Sequence, residues 1–155
     1  YIKNMNMNVT SLEHADLILI GRKEENNISE INEIIKNVSL GKNILCLNKD
    51  LTFPTEFGEM AGNGEVVKII EDELSINIPT LGKSGTHYSS YFIQNNINVN
   101  FVIGDRVDTD ITFGKNLNAK TFLVSSGIKN YLDVNIADIQ LNKFSDVVPF
   151  LTEQS

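Results

Sequence analysis

Phe101-Val102-Ile103-Gly104-Asp105-Arg106-Val107-Asp108-Thr109-Asp110-Ile111 is the stretch that decides how the rest of the chain is read. Val99 to Ile103 reads as a buried strand, and Thr109 to Leu117 as the helix behind it. Gly104 allows the backbone to turn sharply where the strand ends. Asp105 then stands at the carboxyl end of a strand, where ligands bind in parallel α/β sheets. Magnesium takes oxygen ligands and keeps several waters, so one or two carboxylates with a substrate phosphate make a typical site. Asp105 is the first candidate ligand. Two other readings of the same residues stay open on local chemistry. Asp108 and Asp110 could cap and charge the first turn of the following helix. Asp108-Thr109-Asp110 could also be a nucleophilic Asp-x-Asp pair, although such a pair should follow an apolar strand directly and here Asp105-Arg106-Val107 intervenes.

Outward from this stretch, short apolar runs alternate with helix-like segments, the pattern of βα units in a mainly parallel sheet. Leu17 to Ile20 reads as the first strand. Ile28, Ile31, Ile34, Ile35 and Val38 recur at helical spacing behind Asn27, with Glu30 placed to complete a capping box, and Gly41 closes that helix. Asn43 to Leu47 is a second strand, followed by a polar, proline-containing stretch from Asn48 to Asn63 that reads as a long loop. A helix is expected from about Gly64 to Ser75, a strand over Ile78 to Leu81 and a helix near His87 to Asn95. Thr121 to Val124 repeats the strand signal. A weak strand near Ile139 and a last short helix from Ser145 to Leu151 complete the pattern.

The chain has 155 residues, 41% of them hydrophobic, enough for one domain or two small ones with packed cores. A formal net charge of -7 opposes a phosphate-neutralising surface, so neither nucleic acid nor an anionic membrane is an expected partner. The apolar runs are too short to span a bilayer and no secretory signal pattern opens the chain, so a cytoplasmic location is expected. The one cysteine, Cys46, lies in an apolar run and reads as a small core residue. His14 and His87 lack spaced partners that would make them metal ligands. The first residue is Tyr1, which fits a fragment, a processed product or an incompletely represented protein.

Gly104-Asp105-Arg106-Val107-Asp108-Thr109-Asp110-Ile111, followed by Thr121-Phe122-Leu123-Val124-Ser125-Ser126-Gly127-Ile128, resembles the fourth motif of haloacid dehalogenase-like phosphatases, and of the class IIA branch in particular. Other stretches match in the same order. Asn48-Lys49-Asp50-Leu51-Thr52-Phe53-Pro54-Thr55 is similar to a cap segment of that family that usually reads Asn-Pro-Asp, with Lys49 in place of the proline. Gly62-Asn63-Gly64-Glu65-Val66-Val67 is similar to the glycine turn that opens the last cap helix. Leu81-Gly82-Lys83 is similar to the third motif, although Ser84-Gly85-Thr86-His87 follows where the family usually has proline. Ala15 to Gly21 fits an earlier cap strand. No stretch before Asn48 resembles the family's nucleophile motif, Asp-x-Asp-Gly-Thr, or its phosphate-binding Ser or Thr motif.

The resemblance implies a mixed α/β fold in which residues 1–77 are the later part of an inserted cap and residues 78–155 the C-terminal half of a Rossmann-like core. It implies part of a magnesium-dependent phosphomonoester phosphatase that works through an aspartyl-phosphate. Asp105 would hold Mg2+, Asp110 would support the same acidic site, and Lys83 would neutralise phosphoryl oxygens. Asn48 and Asp50 would be cap contacts to a small phosphorylated substrate. With the nucleophile motif outside these residues, the chain alone is expected to be inactive, and to need an N-terminal half or a homo-oligomer to complete it. The alternative is a degenerate, non-catalytic relative that serves as a binding or scaffold protein.

Overall fold

The computed structural model describes residues 8–23, 27–125 and 133–152. These divide into two compact units, residues 1–53 with 59–80, and residues 54–58 with 81–155.

In the first unit, β1 (Leu17–Ile20) and β2 (Asn43–Cys46) run parallel, with Ile18 opposite Ile44 and Ile20 opposite Cys46. Between them in sequence comes α1 (Ile28–Ser39). Asn27 caps α1 by accepting a hydrogen bond from the Ser29 amide at 2.9 Å. The expected capping box is not completed there, because the Glu30 carboxylate is drawn instead to the Lys23 ammonium at 2.6 Å. Gly41, at φ 95°, provides the left-handed turn after α1. The core gathers Ile18, Ile20, Ile31, Cys46, Val66, Val67, Ile70 and Ile78. Cys46 is fully buried, its thiol points to the Pro79 carbonyl, and burial pushes its pKa up, so it stays a protonated packing residue.

The stretch expected to be an irregular loop after β2 is partly ordered as a ribbon: β3 (Thr52–Thr55) pairs with β4 (Gly58–Ala61). Gly58, at φ 113°, makes the turn possible. Helix α2 (Asn63–Leu74) follows and buries Val66, Val67 and Ile70 on one side. The expected strand over Ile78 to Leu81 shrinks to a single parallel bridge between Thr80 and Cys46. Pro79 explains this, since its carbonyl accepts from the Cys46 amide at 3.0 Å but it has no N–H with which to extend the ladder.

In the second unit, α3 (Thr86–Gln94) leads to β5 (Phe101–Gly104), and then a turn of π-helix over Val107–Ile111 runs into α4 (Thr112–Asn116). The chain returns through β6 (Lys120–Val124) and β7 (Ile139–Leu141), and ends in α5 (Val148–Thr152). The strands form one parallel sheet in the order β5-β6-β7, with Ile103 opposite Phe122 and Phe122 opposite Ile139. The central strand is buried on both faces from Thr121 to Val124, as parallel sheets covered by helices require. Each fully buried side chain such as Phe122 contributes on the order of 1.5–3 kcal/mol. Helix α4 lies directly on the sheet: a Cβ on Gly114 would sit 2.4 Å from the Thr121 methyl and 3.0 Å from Val102 Cβ.

Candidate functional site

Gly104 ends β5 and Asp105 follows it immediately, half-buried and outside the buried apolar cluster of Val107, Ile111, Leu123 and Ala137. Beyond it, the Arg106 carbonyl accepts from both the Asp110 amide (3.0 Å) and the Ile111 amide (3.1 Å), the second of these being the five-residue spacing of a π-turn. The Thr112 hydroxyl donates to the Val107 carbonyl at 2.9 Å and occupies an acceptor that a regular helix would use. The helix expected to start at Thr109 is therefore a π-turn with α4 behind it. This wider arc brings Asp110 back over the end of β5. Its side chain passes so close to Gly104 that any Cβ there would overlap it.

Asp110 is nearly buried, and its two carboxylate oxygens divide their work. Oδ1 accepts from the Lys83 ammonium at 2.8 Å, and Oδ2 from the Arg106 amide at 3.3 Å. Lys83 does not end a strand, as expected of it; it sits in a turn ahead of α3, which the Gly85 amide closes onto the Gly82 carbonyl at 2.9 Å. Its side chain is about half exposed (55%) while that of Asp110 is 10% exposed, so the lysine reaches inward from solvent to a shielded carboxylate. Asp108 is held differently. The Arg106 guanidinium grips both of its oxygens, Nε at 2.9 Å and Nη2 at 2.6 Å, the bidentate geometry that arginine supplies. Asp108 and Asp110 are thus each matched to a cation. Both stand in the first turn of the π-helix, where the capping alternative puts them, and Asp110 accepts from the Arg106 amide just ahead of it.

Asn48 and Asp50 lie in the first unit, on the segment after β2. The Asn48 amide donates to the Asp50 carboxylate at 2.8 Å. The backbone of this segment docks on the start of α2: the Gly64 amide donates to the Asp50 carbonyl (2.9 Å), the Gly62 amide to the Leu51 carbonyl (2.7 Å), and the Asn63 side chain to the Asn48 carbonyl (2.7 Å). A Cβ on Gly62 would fall 2.0 Å from the Asp50 oxygen, and one on Gly64 would fall 2.3 Å from the Lys49 oxygen. The glycines of Gly62-Asn63-Gly64 are there for close approach of two backbones.

Among the described residues, no three histidine, cysteine, aspartate or glutamate side chains gather into a set that could hold a metal ion. Asp105 and Asp110 have the oxygen chemistry that magnesium accepts, as part of a ligand set. Among the described residues, no helix is long and apolar enough to cross a membrane.

Comparison with known proteins bears on the same segments. The family described as HAD-hydrolase-like matches residues 84–148, which contain α3, β5 and the acidic turn. The acid sugar phosphatase of Staphylococcus epidermidis is 26% identical over 137 residues, covering 86% of this chain and 52% of that protein. The p-nitrophenyl phosphatase from Archaeoglobus fulgidus superposes with a TM-score of 0.72 at 20% identity, over 91% of this chain and 59% of that one. Over these residues the chain is similar to haloacid dehalogenase-like hydrolases.

Its likeness is to class IIA p-nitrophenyl phosphatases, and it corresponds to about the C-terminal half of these homologues. The chain spans about half the length of the curated relatives it matches. It shares a mixed α/β fold with parallel sheets with those structures over part of their length. The glycerol phosphate phosphatase from Mycobacterium tuberculosis, solved in complex with calcium, superposes with a TM-score of 0.62 at 24% identity, over 76% of this chain and 35% of that one. Two residues, one in each unit, that hold candidate segments in place escape a residue-type reading of the sequence. Arg106 lies between the acids and could have been taken from that position alone. Glu71 has no local signal, because its partners Lys49 and Ile78 are distant in sequence.

Proposed function

We propose that this chain supplies the magnesium and lysine half of a phosphomonoester phosphatase of the class IIA type, with residues 78–155 as the later half of a Rossmann-like core and residues 1–77 as part of a cap. The observation that carries this reading is the Lys83–Asp110 ion pair of 2.8 Å, formed over the carboxyl end of β5 beside Asp105. In this reading Asp105 holds Mg2+, which supplies charge stabilisation to a phosphoryl group when bound. Asp110 keeps the Lys83 ammonium aimed at the same place. Lys83 then offers a point charge to phosphoryl oxygens, from a side chain that remains half open to solvent. Asn48 and Asp50 contact the part of the substrate that is not transferred. The attacking carboxylate comes from a segment with an Asp-x-Asp-Gly-Thr motif, which these residues do not contain.

The test is p-nitrophenyl phosphate turnover by the 155-residue chain, alone and joined to a nucleophile-bearing segment of a class IIA relative. The expected result is no turnover above background from the chain alone, and turnover after joining that is lost in Asp105→Asn. Turnover by the chain alone would show a nucleophile within it. No turnover in any combination would favour a binding or scaffold role.

A further inference from the structure

The segment carrying Asn48 and Asp50 is held from two directions, and the second anchor is a side chain for which neither the proposed chemistry nor the core packing has a use. At the start of α2, three hydrogen bonds fix the carbonyls of Asn48, Asp50 and Leu51. Toward the far end of α2, the Lys49 ammonium reaches Glu71 Oε1 at 2.7 Å and Asn77 Oδ1 at 2.9 Å. The same Glu71 oxygen accepts from the Ile78 amide at 2.7 Å. Lys49 and Glu71 keep only 26% and 22% of their side-chain surface, so this pair is screened far less than the exposed Lys68–Asp72 pair of the same helix, at 65% and 66%.

We infer that Lys49 is a positioning residue, whose ion pair with Glu71 sets the placement of the Asn48–Leu51 segment and so of the Asn48–Asp50 side-chain pair. The inference rests on the reading that Asn48 and Asp50 meet substrate. Its physical basis is the backbone at position 49. Where the resembled cap motif has proline, a ring fixes φ; a lysine leaves φ free, so stiffness has to come from what its side chain grips. Here the side chain grips both the last turns of α2 and the segment that returns to Thr80. Docking of residues 48–51 is then coupled to the order of residues 75–79.

Hydrogen exchange on the full chain tests this at three amides, Gly62, Gly64 and Ile78, each of which donates to a partner in the latch. Lys49→Met is expected to speed exchange at Gly62 and Gly64 by about tenfold or more, while the Leu47 amide in the β1–β2 pairing stays protected. Lys49→Arg is expected to restore protection. Unchanged Gly62 and Gly64 in Lys49→Met, or no rescue by arginine, would overturn the inference. If Lys49→Met also exposes Leu47, the unit has unfolded, and Glu71→Gln gives the milder break to be read at the same amides with the same two outcomes. The exchange experiment needs no substrate, so it fails separately from the function above. In enzyme joined to the nucleophile segment, Lys49→Met is expected to raise KM several-fold at constant kcat. Lost protection with KM unchanged would leave the latch in place but overturn its role in substrate placement.

Discussion

The side chain of Asp110 lies against the bare Cα of Gly104, where an added Cβ would sit 2.3 Å from the Cβ and from Oδ2 of the aspartate. This contact lets the π-turn fold back over the end of β5 and present Asp110 to Lys83. Gly104→Ala cannot be absorbed by the tip of a flexible side chain, because the Asp110 Cβ itself is in the way. It is expected to destabilise the second unit by about 1–3 kcal/mol, read from urea unfolding, and to break the Lys83–Asp110 pair. An alanine variant of wild-type stability would mean that the turn has an alternative path.

How much of this was legible in the sequence differs element by element. The strand ending at Gly104 and the acids after it could be read because an apolar run stops at a glycine. Helix α1 and helix α2 were equally plain from their apolar spacing. The β3–β4 ribbon was not, because β4 is exposed at every position, so no alternation of apolar and polar residues marks it, and Pro54 breaks the pattern of β3. The strand near Ile78 looked convincing from its apolar residues, but the missing N–H of Pro79 limits it to one bridge. The π-turn could not be foreseen from local preference, since it depends on the tertiary contact at Gly104. At the site, Lys83 and Asp110 are brought together across 27 residues of sequence, while the docking of Lys49 on Glu71 has no pattern to announce it.

The Lys83–Asp110 pair should be measurable by a double-mutant cycle. Asp110 is shielded and Lys83 is half exposed, so the pair lies between a surface ion pair and a buried one. Lys83→Met, Asp110→Asn and the double variant are expected to give a coupling of about 1 kcal/mol in chemical unfolding. Asp110→Asn alone should cost more than Lys83→Met alone, because the aspartate also accepts from the Arg106 amide. A coupling indistinguishable from zero would mean that the pair adds nothing to folding.

Arg106→Lys is expected to be a poor substitute. A lysine keeps the charge but cannot meet both Asp108 oxygens with two parallel donors. Loss of about 1 kcal/mol, with the Asp110 amide exchanging faster, is the expected outcome. Full retention of both would show that the arc after β5 is held by its backbone alone.

Asp138 should govern part of the acid stability of the second unit. Its carboxylate accepts from Lys115 (2.6 Å), from the Thr121 hydroxyl (2.7 Å) and from the Thr121 amide (2.8 Å), and these bonds hold its pKa well below the usual carboxylate range. A depressed folded-state pKa means that the contribution is complete above the unfolded value, near about 4, and is lost as pH falls through that value toward the folded one. Stability of the native chain should therefore drop on acidification below about pH 4 more steeply than that of Asp138→Asn. Parallel pH profiles for the two proteins, measured by urea unfolding, would remove Asp138 from this role.

Magnesium should bind the isolated chain weakly. Asp110 gives one oxygen to Lys83 and the other to the Arg106 amide, and Asp108 is gripped on both oxygens by Arg106, so two of the three acids after β5 have their charge already matched. Asp105 is the carboxylate that the proposed function assigns to a small, strongly hydrated ion, which ordinarily relies on substrate phosphate and further oxygens to complete its shell. Titration calorimetry should give a dissociation constant on the order of millimolar or weaker, and Asp105→Asn should abolish what binding there is. Joining a nucleophile-bearing segment should tighten the affinity, since a second carboxylate from that segment would share the ion with Asp105. Tight magnesium binding by the isolated chain, or binding that survives Asp105→Asn, would place the ion elsewhere and overturn the assignment of Asp105.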